Sequence, residues 1–210
     1  MPALYVDTSE LLIVGLLTDD DQWLDYQKFE TKKNSVLIHQ VIYQLCQKNN
    51  ISIADITSIY QTAGPGSYTG IRLSSGLAEV FAWQGKESYS FYHFQIPYLL
   101  NHPKGIWLSY AFKNETFCFI WSAEKKEKQI IANEQLPHFL HQHKDYPFFT
   151  HFKTAHPLSL SVEMTETSQM LYENTGELWK LIRSKKLQEE PYYYRLIDQE
   201  FKKPSSLLQS

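Results

Sequence analysis

Residues 61–72, QTAGPGSYTGIR, constrain the fold of this chain more than any other part of the sequence. A strand pattern (Ile56, Ile59, Tyr60) runs directly into three glycines and a proline, and a helix pattern begins immediately afterwards. Glycines allow a backbone to turn sharply and to approach another group closely, and a helix start offers unpaired N–H groups that suit an anion. Such a strand–loop–helix unit therefore either binds a phosphate or packs tightly against another chain.

The loop matches neither common nucleotide-binding fingerprint. A P-loop requires a lysine directly after its last glycine, whereas Ile71 follows Gly70 here. The dinucleotide pattern GxGxxG would require a glycine in place of Thr69. Spacing alone therefore favours a structural tight turn over a phosphate site.

Composition narrows the functional classes. The chain has 210 residues, of which 43% are hydrophobic, enough for one large domain or two small ones. A formal net charge of −3 argues against binding nucleic acid unaided, because that usually requires a basic face. Cys46 and Cys118 lack a CxxC spacing and are interpreted as core residues in a reducing compartment. Without a signal-peptide pattern or a long apolar stretch, we expect a cytoplasmic protein that does not contact a membrane.

Hydrophobic periodicity predicts an α/β organisation in two halves. The first half is predicted to have strands at residues 4–7, 11–17, 23–29, 56–61 and 88–92, and helices at 35–48 and 67–84. The second is predicted to have strands at 106–112, 116–121, 128–131 and 147–150, and helices at 134–141 and 166–185. A Pro/Gly break near residues 101–105 separates the halves.

Three segments resemble one known family. GPGSYTGIR, followed by a helix of small residues, resembles the GPGS[FY]TGLR signature of the TsaB (YeaZ) proteins. Asp7-Thr8-Ser9 after an apolar strand and the ending at residues 191–195, PYYYR, are also similar to that family. The resemblance is strong over residues 4–85, moderate over 105–121 and at 190–195, and weak between, with the mid-chain DARRGEVY pattern present only in outline.

The resemblance implies an actin-like/Hsp70-ATPase (ribonuclease H-like) fold, with two lobes that each have a mixed sheet flanked by helices. Residues 1–100 would form the N-terminal lobe, and residues 101–210 a shortened C-terminal lobe with a polar tail. TsaB proteins are the non-catalytic partners in bacterial synthesis of threonylcarbamoyladenosine on transfer RNA. The chain would bind and activate a TsaD-type catalytic subunit, which transfers threonylcarbamoyl to the adenosine next to the anticodon.

Further partners follow from the same resemblance. A TsaE-type ATPase would join the assembly, transfer RNA would be reached through the complex, and the isolated chain could form a homodimer. No cofactor would be bound by this chain alone, and ATP and metal are expected in the partner subunits. The implied partner-binding residues lie on the first two long helices: Ser35, Ile38, His39, Ile42, Tyr43, Cys46, Ile71, Ser74, Ser75, Ala78 and Ala82.

The residues themselves give a physical reason for such a face. Helix 35–48 is apolar over a wider arc than one core-facing stripe requires. The helix after the glycine loop carries Ser74, Ala78 and Ala82 at i, i+4 and i+8, and small residues allow a second helix to approach closely. The alternative, that both surfaces pack on each other within one domain, stays open.

A second set of residues could face a phosphate. In the actin-like superfamily an aspartate after the first strand and the turn that follows it face the nucleotide phosphates and their metal. The matching residues are Asp7, Thr8, Gly64, Gly66, Ser67, Thr69 and Gly70. In the alternative reading, Asp7 only caps its own turn. This set motivates the alternative function of a stand-alone actin-like kinase or ATPase, whereas no residues favour a peptidase.

No catalytic or metal-binding residues are predicted. The TsaD-type relative carries a His-x-x-x-His pair, but here His39 is followed four residues later by Tyr43. His138, His141 and His143 are interpreted as a solvated helix end. The other histidines, His93, His102, His151 and His156, show no ligand spacing. The hydroxyls of Ser67 and Thr69 and the thiols of Cys46 and Cys118 have no recognisable base beside them.

Overall fold

The structure is a computed structural model that describes residues 2–30, 34–112, 114–152 and 162–194. The predicted polar tail, Arg195 and His156 lie outside the described residues. Among the described helices, none has both the length and the apolar character that crossing a membrane requires.

Five strands form the first sheet. They are β1 (Ala3–Asp7), β2 (Leu12–Leu17), β3 (Trp23–Phe29), β4 (Ser58–Thr62) and β5 (Glu87–Phe91), in the order β3-β2-β1-β4-β5. β1, β2 and β3 are antiparallel, whereas β4 and β5 run parallel to β1. The associated helices are α1 (Asn34–Lys48), α2 (Tyr68–Trp83) and α3 (Gln95–Leu99), with a 3₁₀ turn at Ile53–Asp55.

The second sheet repeats this topology. Its strands are β6 (Gly105–Phe112), β7 (Glu115–Trp121), β8 (Lys126–Ala132), β9 (Phe148–Thr150) and β10 (Met164–Glu166), in the order β10-β9-β6-β7-β8. β6, β7 and β8 are antiparallel, and β9 and β10 are parallel to β6. The helices are α4 (Leu136–Gln142), α5 (Thr167–Glu173) and α6 (Thr175–Ser184). Two mixed sheets of the same order, flanked by helices, confirm the predicted actin-like α/β fold.

One predicted helix is wrong. The pattern over residues 166–185 indicated a single helix, but the chain forms α5 and α6, which are separated at Asn174. The Asn174 side chain donates to the Met170 carbonyl oxygen at 2.8 Å, so its amide closes the last turn of α5 and starts a new axis. α3, β10 and the 3₁₀ turn were not predicted.

Strand alternation divides the core into layers. On β1, Leu4 and Val6 face a cluster that includes residues of α1 and α2, whereas Ala3 and Tyr5 face a central cluster. The central cluster contains residues of both sheets and of α3, α5 and α6, and Trp179 lies in it, fully buried. A third cluster lies between the second sheet and α4. One shared aromatic core therefore joins the two sheets.

The last described segment crosses back to the first sheet. The Ser90 backbone donates to the Leu187 carbonyl at 3.0 Å and accepts from the Glu189 N–H at 3.2 Å. The Tyr192 N–H donates to the Ala63 carbonyl at 2.8 Å, and the Tyr194 hydroxyl lies 2.5 Å from Ser109 Oγ on β6. These bonds hold the segment that ends in PYYY, residues 191–194, against both sheets.

Candidate functional site

Four side chains, here named the Asp7 cluster, meet in the interior: Asp7, Glu10, His93 and His151. His93 Nε2 lies 2.7 Å from Asp7 Oδ2, and His151 Nε2 lies 3.2 Å from the same oxygen. The two imidazole rings face each other with centroids 3.4 Å apart. His151 Nδ1 is 3.6 Å from Glu10 Oε2. Two imidazoles therefore converge on one carboxylate oxygen.

Strand ends position the cluster. Asp7 is the last residue of β1, His93 follows the end of β5, and His151 directly follows β9. Because β1 and β5 belong to the parallel part of the first sheet, their carboxyl ends lie at the same edge. Crevices outside the carboxyl ends of strands are the usual location of functional sites in open α/β sheets. His151 comes from the second sheet, so the cluster joins the two.

Hydrogen bonds fix the Asp7 carboxylate. Its Oδ1 accepts from the Ser9 N–H at 2.8 Å and from the Ser9 hydroxyl at 2.7 Å, whereas Oδ2 accepts from the Tyr5 hydroxyl at 3.5 Å and faces the imidazoles. Glu10 is held by the Ser109 hydroxyl, which donates to its Oε1 at 3.2 Å. Both carboxylates are thus oriented before any ligand is considered.

At Asp7 and His151, burial and the neighbouring charges shift the pKa in opposite directions. Burial alone would raise the pKa of Asp7, but His93 and His151 hold it well below its usual range. Burial lowers the pKa of His151, yet the Asp7 and Glu10 carboxylates outweigh it and raise that pKa to about 9. Burial and the adjacent His151 lower the pKa of His93. The charged forms of Asp7 and His151 therefore stabilise each other, whereas the charged form of His93 is disfavoured.

Several polar atoms of the cluster lack hydrogen-bond partners among the described residues. They are His93 Nδ1, both ring nitrogens of His151, and Glu10 Oε2; His151 Nε2 is within ion-pair distance of Asp7 but outside hydrogen-bond geometry. Buried polar atoms without partners are rare, and each one calls for an explanation such as a bound ion or water. The three ligand atoms of Asp7, His93 and His151 all lie within 4.8 Å of one another, a spacing compatible with one metal ion.

The spacing of the histidines along the sequence does not reveal this cluster. His93 and His151 show no local ligand pattern, yet each contacts Asp7 from a distant strand end. Local spacing detects ligands on one helix or loop but not on separate strand ends. A usable signal was available: each histidine follows a predicted strand within two residues.

The glycine loop packs against the turn that follows β1. A Cβ added at Gly70 would overlap the Thr8 carbonyl oxygen, and one at Gly66 would lie 2.5 Å from that of Ser9. The Thr8 hydroxyl donates to the Gly70 carbonyl at 2.5 Å, and the Ser67 N–H donates to the Ser9 carbonyl at 2.6 Å. The backbone of the turn after β1 thus approaches the loop so closely that only glycine fits at positions 66 and 70.

The predicted phosphate-facing residues therefore have internal contacts. Gly64, with φ +109°, is buried beside the Tyr192 carbonyl, and Thr69 is exposed at the start of α2. The Ser67 hydroxyl accepts from the Gly70 N–H at 3.4 Å, as an N-cap does. Asp7 turns towards its histidines. A phosphate contact at these residues stays a prediction.

The predicted partner-binding residues divide into two groups. Six are buried against the first sheet or its loop, where they have no free surface: Ile38, Ile42, Cys46, Ile71, Ser74 and Ala78. The others are exposed or half-buried: Ser35, His39, Tyr43, Ser75 and Ala82. The small-residue strip therefore faces inwards at Ser74 and Ala78 and outwards only at Ala82.

Large apolar residues nevertheless remain on the outer faces of both helices. On α1, Val36 and Tyr43 are 72% and 53% exposed; on α2, Val80 and Trp83 are 43% and 82% exposed. Their spacings of seven and three residues place each pair on one helix face. We name this surface the α1–α2 face. None of Val36, Val80 and Trp83 was among the predicted partner-binding residues.

The chain matches a family model described as "TsaD: tRNA N6-adenosine threonylcarbamoyltransferase" over residues 29–145, more than half of its length. It is similar to the "tRNA threonylcarbamoyladenosine biosynthesis protein TsaB" of Bacillus subtilis (strain 168), with 32% identity over 84 residues. That alignment covers 40% of this chain and 37% of the Bacillus protein, little more than a third of its length.

Two solved structures from Pseudomonas aeruginosa are also similar. One, described as an uncharacterized protein with similarity to peptidase YEAZ, has a TM-score of 0.60 and 16% identity and covers 92% of this chain and 99% of its own. The other, "YeaZ", has a TM-score of 0.49 and 17% identity and covers 62% of this chain and 64% of its own. The first match supports the fold described above.

Proposed function

We propose that this chain, which belongs to the family described as TsaD, tRNA N6-adenosine threonylcarbamoyltransferase, is a protein of TsaB (YeaZ) type and an accessory subunit in threonylcarbamoyladenosine synthesis on transfer RNA. In this role it binds and activates a TsaD-type catalytic subunit. The relative's name supports the pathway, and the α1–α2 face supports the mode of action.

The α1–α2 face carries the proposal. Single exposed apolar residues are normal on a protein surface, whereas groups of large exposed apolar residues are typical of interaction sites. α1 and α2 pack on the same side of the first sheet through residues such as Ile42 and Ala78. Their inner faces are thus satisfied by the chain's own core, while Trp83 and Val36 are left for a partner helix.

The test measures the affinity for the TsaD-type subunit from the same organism, by calorimetry. Trp83→Asp places a charge at the most exposed aromatic residue of the face. We expect about 30-fold weaker binding, since a central tryptophan of an interface commonly contributes 2 kcal/mol or more. Reconstituted threonylcarbamoyl transfer should fall in parallel at limiting subunit concentration.

Ile130→Asp is the matched control. Ile130 is 41% exposed on β8, an edge strand of the other sheet, so the substitution adds the same charge away from the α1–α2 face. Unchanged affinity of Trp83→Asp, or equal weakening by Ile130→Asp, would contradict the proposed face. Ala78 is unsuitable for this test because it is buried, and a large residue there would disturb the core.

Other members of the assembly belong to the same proposal. A TsaE-type ATPase and transfer RNA join through the TsaD-type subunit, in the cytoplasm, with ATP and the metal that accompanies it held by the partners. In isolation, the α1–α2 face pairs with a second copy, and Trp83→Asp then yields a monomer in sedimentation measurements. If the unmodified chain is a monomer, the proposed homodimer is wrong, but the proposed complex with the TsaD-type subunit is unaffected.

A stand-alone actin-like kinase or ATPase makes a different prediction. It requires ATP and magnesium to bind this chain alone at Asp7 and the Gly64–Gly70 loop. The accessory role predicts no turnover of ATP by the isolated chain. Calorimetry with ATP and magnesium, followed by a phosphate-release assay, distinguishes the two functions.

A further inference from the structure

We propose that Asp7, His93 and His151 bind one divalent transition metal ion of the zinc class, between the two sheets. The donors would be Asp7 Oδ2 and the Nε2 atoms of both histidines. Imidazole nitrogen and carboxylate oxygen are ordinary ligands of Zn²⁺ in proteins. This site does not depend on the accessory role, because it lies in the interior, apart from the α1–α2 face.

The geometry of the donor atoms supports the site. Both Nε2 atoms already lie beside Asp7 Oδ2, at 2.7 and 3.2 Å, and one possible ligand atom from each of the three residues falls within 4.8 Å of the other two. Metal–ligand bonds of about 2 Å separate neighbouring ligands by little more than 3 Å, so small side-chain shifts suffice. The donors come from three strand ends and need no local sequence motif.

The surroundings of the donors match those of metal ligands. A ligating histidine usually presents its other ring nitrogen to a carboxylate or carbonyl, and a ligating carboxylate is itself hydrogen-bonded. His151 Nδ1 faces Glu10 Oε2 at 3.6 Å, and Asp7 Oδ1 accepts two bonds from Ser9. Ser109 in turn holds Glu10. These contacts orient the donor atoms towards one point.

The polar contacts of the buried His151 side chain also support the site. Its ring nitrogens lie 3.2 Å from Asp7 Oδ2 and 3.6 Å from Glu10 Oε2, within ion-pair distance but outside hydrogen-bond geometry. Buried polar atoms in native proteins are nearly always satisfied. A metal ion at the convergence point would satisfy His151 Nε2 directly.

The experiment uses the full chain, stripped with a chelator and then equilibrated with zinc and desalted. We expect one equivalent of zinc per chain by elemental analysis. A free zinc concentration 100-fold above the dissociation constant should raise the thermal midpoint by about 5–10 °C. His151→Asn should lose both effects.

The control removes histidines that could hold metal weakly at the surface. His138 and His141 are exposed on α4, far from the cluster in the fold, and the double variant His138→Ala/His141→Ala should keep the full equivalent. Substoichiometric zinc in the unmodified chain, zinc retained by His151→Asn, or zinc lost in the control variant would each overturn the site.

A cobalt measurement keeps the test decisive if His151→Asn does not fold. Co²⁺ added to the unmodified chain should give the intense visible bands of a four- or five-coordinate ion with nitrogen and oxygen ligands. The weak spectrum of hydrated cobalt would instead show that the cluster is a metal-free polar contact, and the proposal would fail.

Discussion

Two glycines of the α2 region differ in what surrounds them. At Gly70 an added Cβ would overlap the Thr8 carbonyl oxygen, a backbone atom that cannot turn away. At Gly76 nothing lies within 4 Å of the added atom. The same chemical change therefore tests a close backbone approach at one position and helix propensity at the other.

We expect Gly70→Ala to lower the free energy of unfolding by about 3 kcal/mol, since overpacking of this kind forces a backbone shift. Gly76→Ala should raise it by about 0.5–1 kcal/mol, because alanine restricts the unfolded chain and favours helix. Urea unfolding of the isolated chain measures both. Equal effects of the two substitutions would contradict the tight contact between the Thr8 turn and the loop.

The two thiols should be unreactive in the folded protein. Burial raises the pKa of Cys46, and burial raises the pKa of Cys118 to about 12. At pH 8 we expect neither thiol to react with a disulfide reagent in native buffer, and both to react in denaturant. Above the ordinary thiol pKa the unfolded chain loses protons that the folded chain keeps, so stability should fall as pH rises.

Titrating the free energy of unfolding between pH 8 and 10 checks this sign. The Cys46→Ala/Cys118→Ala variant should show a shallower decline than the unmodified chain over this interval, and tyrosine ionisation, which also contributes as the pH approaches 10, is common to both proteins. A thiol that reacts rapidly in the native state would show that its side chain reaches solvent.

The sequence pattern predicted the partner-binding residues of α1 only in part, and it did not predict the Asp7 cluster. On α1, Ile38 and Tyr43 both fit the predicted wide apolar face, yet one is buried and the other exposed. Pattern alone does not tell the inner arc of such a helix from the outer one, because both arcs are apolar. His93 and His151 were missed for another reason: their partner Asp7 is adjacent only after both sheets have formed.

At the scale of elements, α2 presents an unusual fluorescent probe. Of the five tryptophans, Trp83 is 82% exposed, whereas Trp107, Trp121 and Trp179 are fully buried and Trp23 is partly buried. Quenching of the isolated chain by acrylamide should therefore come chiefly from Trp83. Trp83→Tyr should abolish most of the quenchable emission.

Binding of a TsaD-type subunit from which the tryptophans have been removed should protect Trp83 from acrylamide. If Trp83 stays equally quenchable in the purified complex, the partner does not cover the carboxyl end of α2. This readout is independent of affinity, so it separates a contact at Trp83 from an indirect effect of the Trp83→Asp substitution.

Most elements were predictable because their residues alternate clearly. β1 to β7 and α1, α2 and α4 lie close to their predicted bounds, since period-two and helical patterns are strong there. α5 and α6 were joined in the prediction because Asn174 does not interrupt the apolar pattern, although its side-chain bond to Met170 ends the helix. α3 and β10 are too short for a periodic signal.

At the scale of the whole molecule, the two sheets depend on one aromatic core. Trp179 of α6 contacts Tyr5, Tyr60 and Phe91 of the first sheet, with ring centroids 4.9–5.9 Å apart. The same cluster includes Trp107 and Phe149 of the second sheet. Stability should therefore be cooperative across both lobes.

Trp179→Ala should lower the free energy of unfolding by about 3–5 kcal/mol, the usual loss for truncating a buried tryptophan. The unfolding transitions followed by far-ultraviolet circular dichroism and by tryptophan fluorescence should still coincide. Two separate transitions would show that the lobes unfold independently and that the core does not couple them.

The return of residues 187–192 to β5 has a consequence during synthesis on the ribosome. The Ser90 N–H and carbonyl and the Ala63 carbonyl obtain these backbone partners from Leu187, Glu189 and Tyr192, which are translated long after them. The nascent first sheet thus keeps an open strand edge until residues 187–192 have been translated. Chaperones that shield such edges should associate with the nascent chain for longer than with a lobe that completes itself.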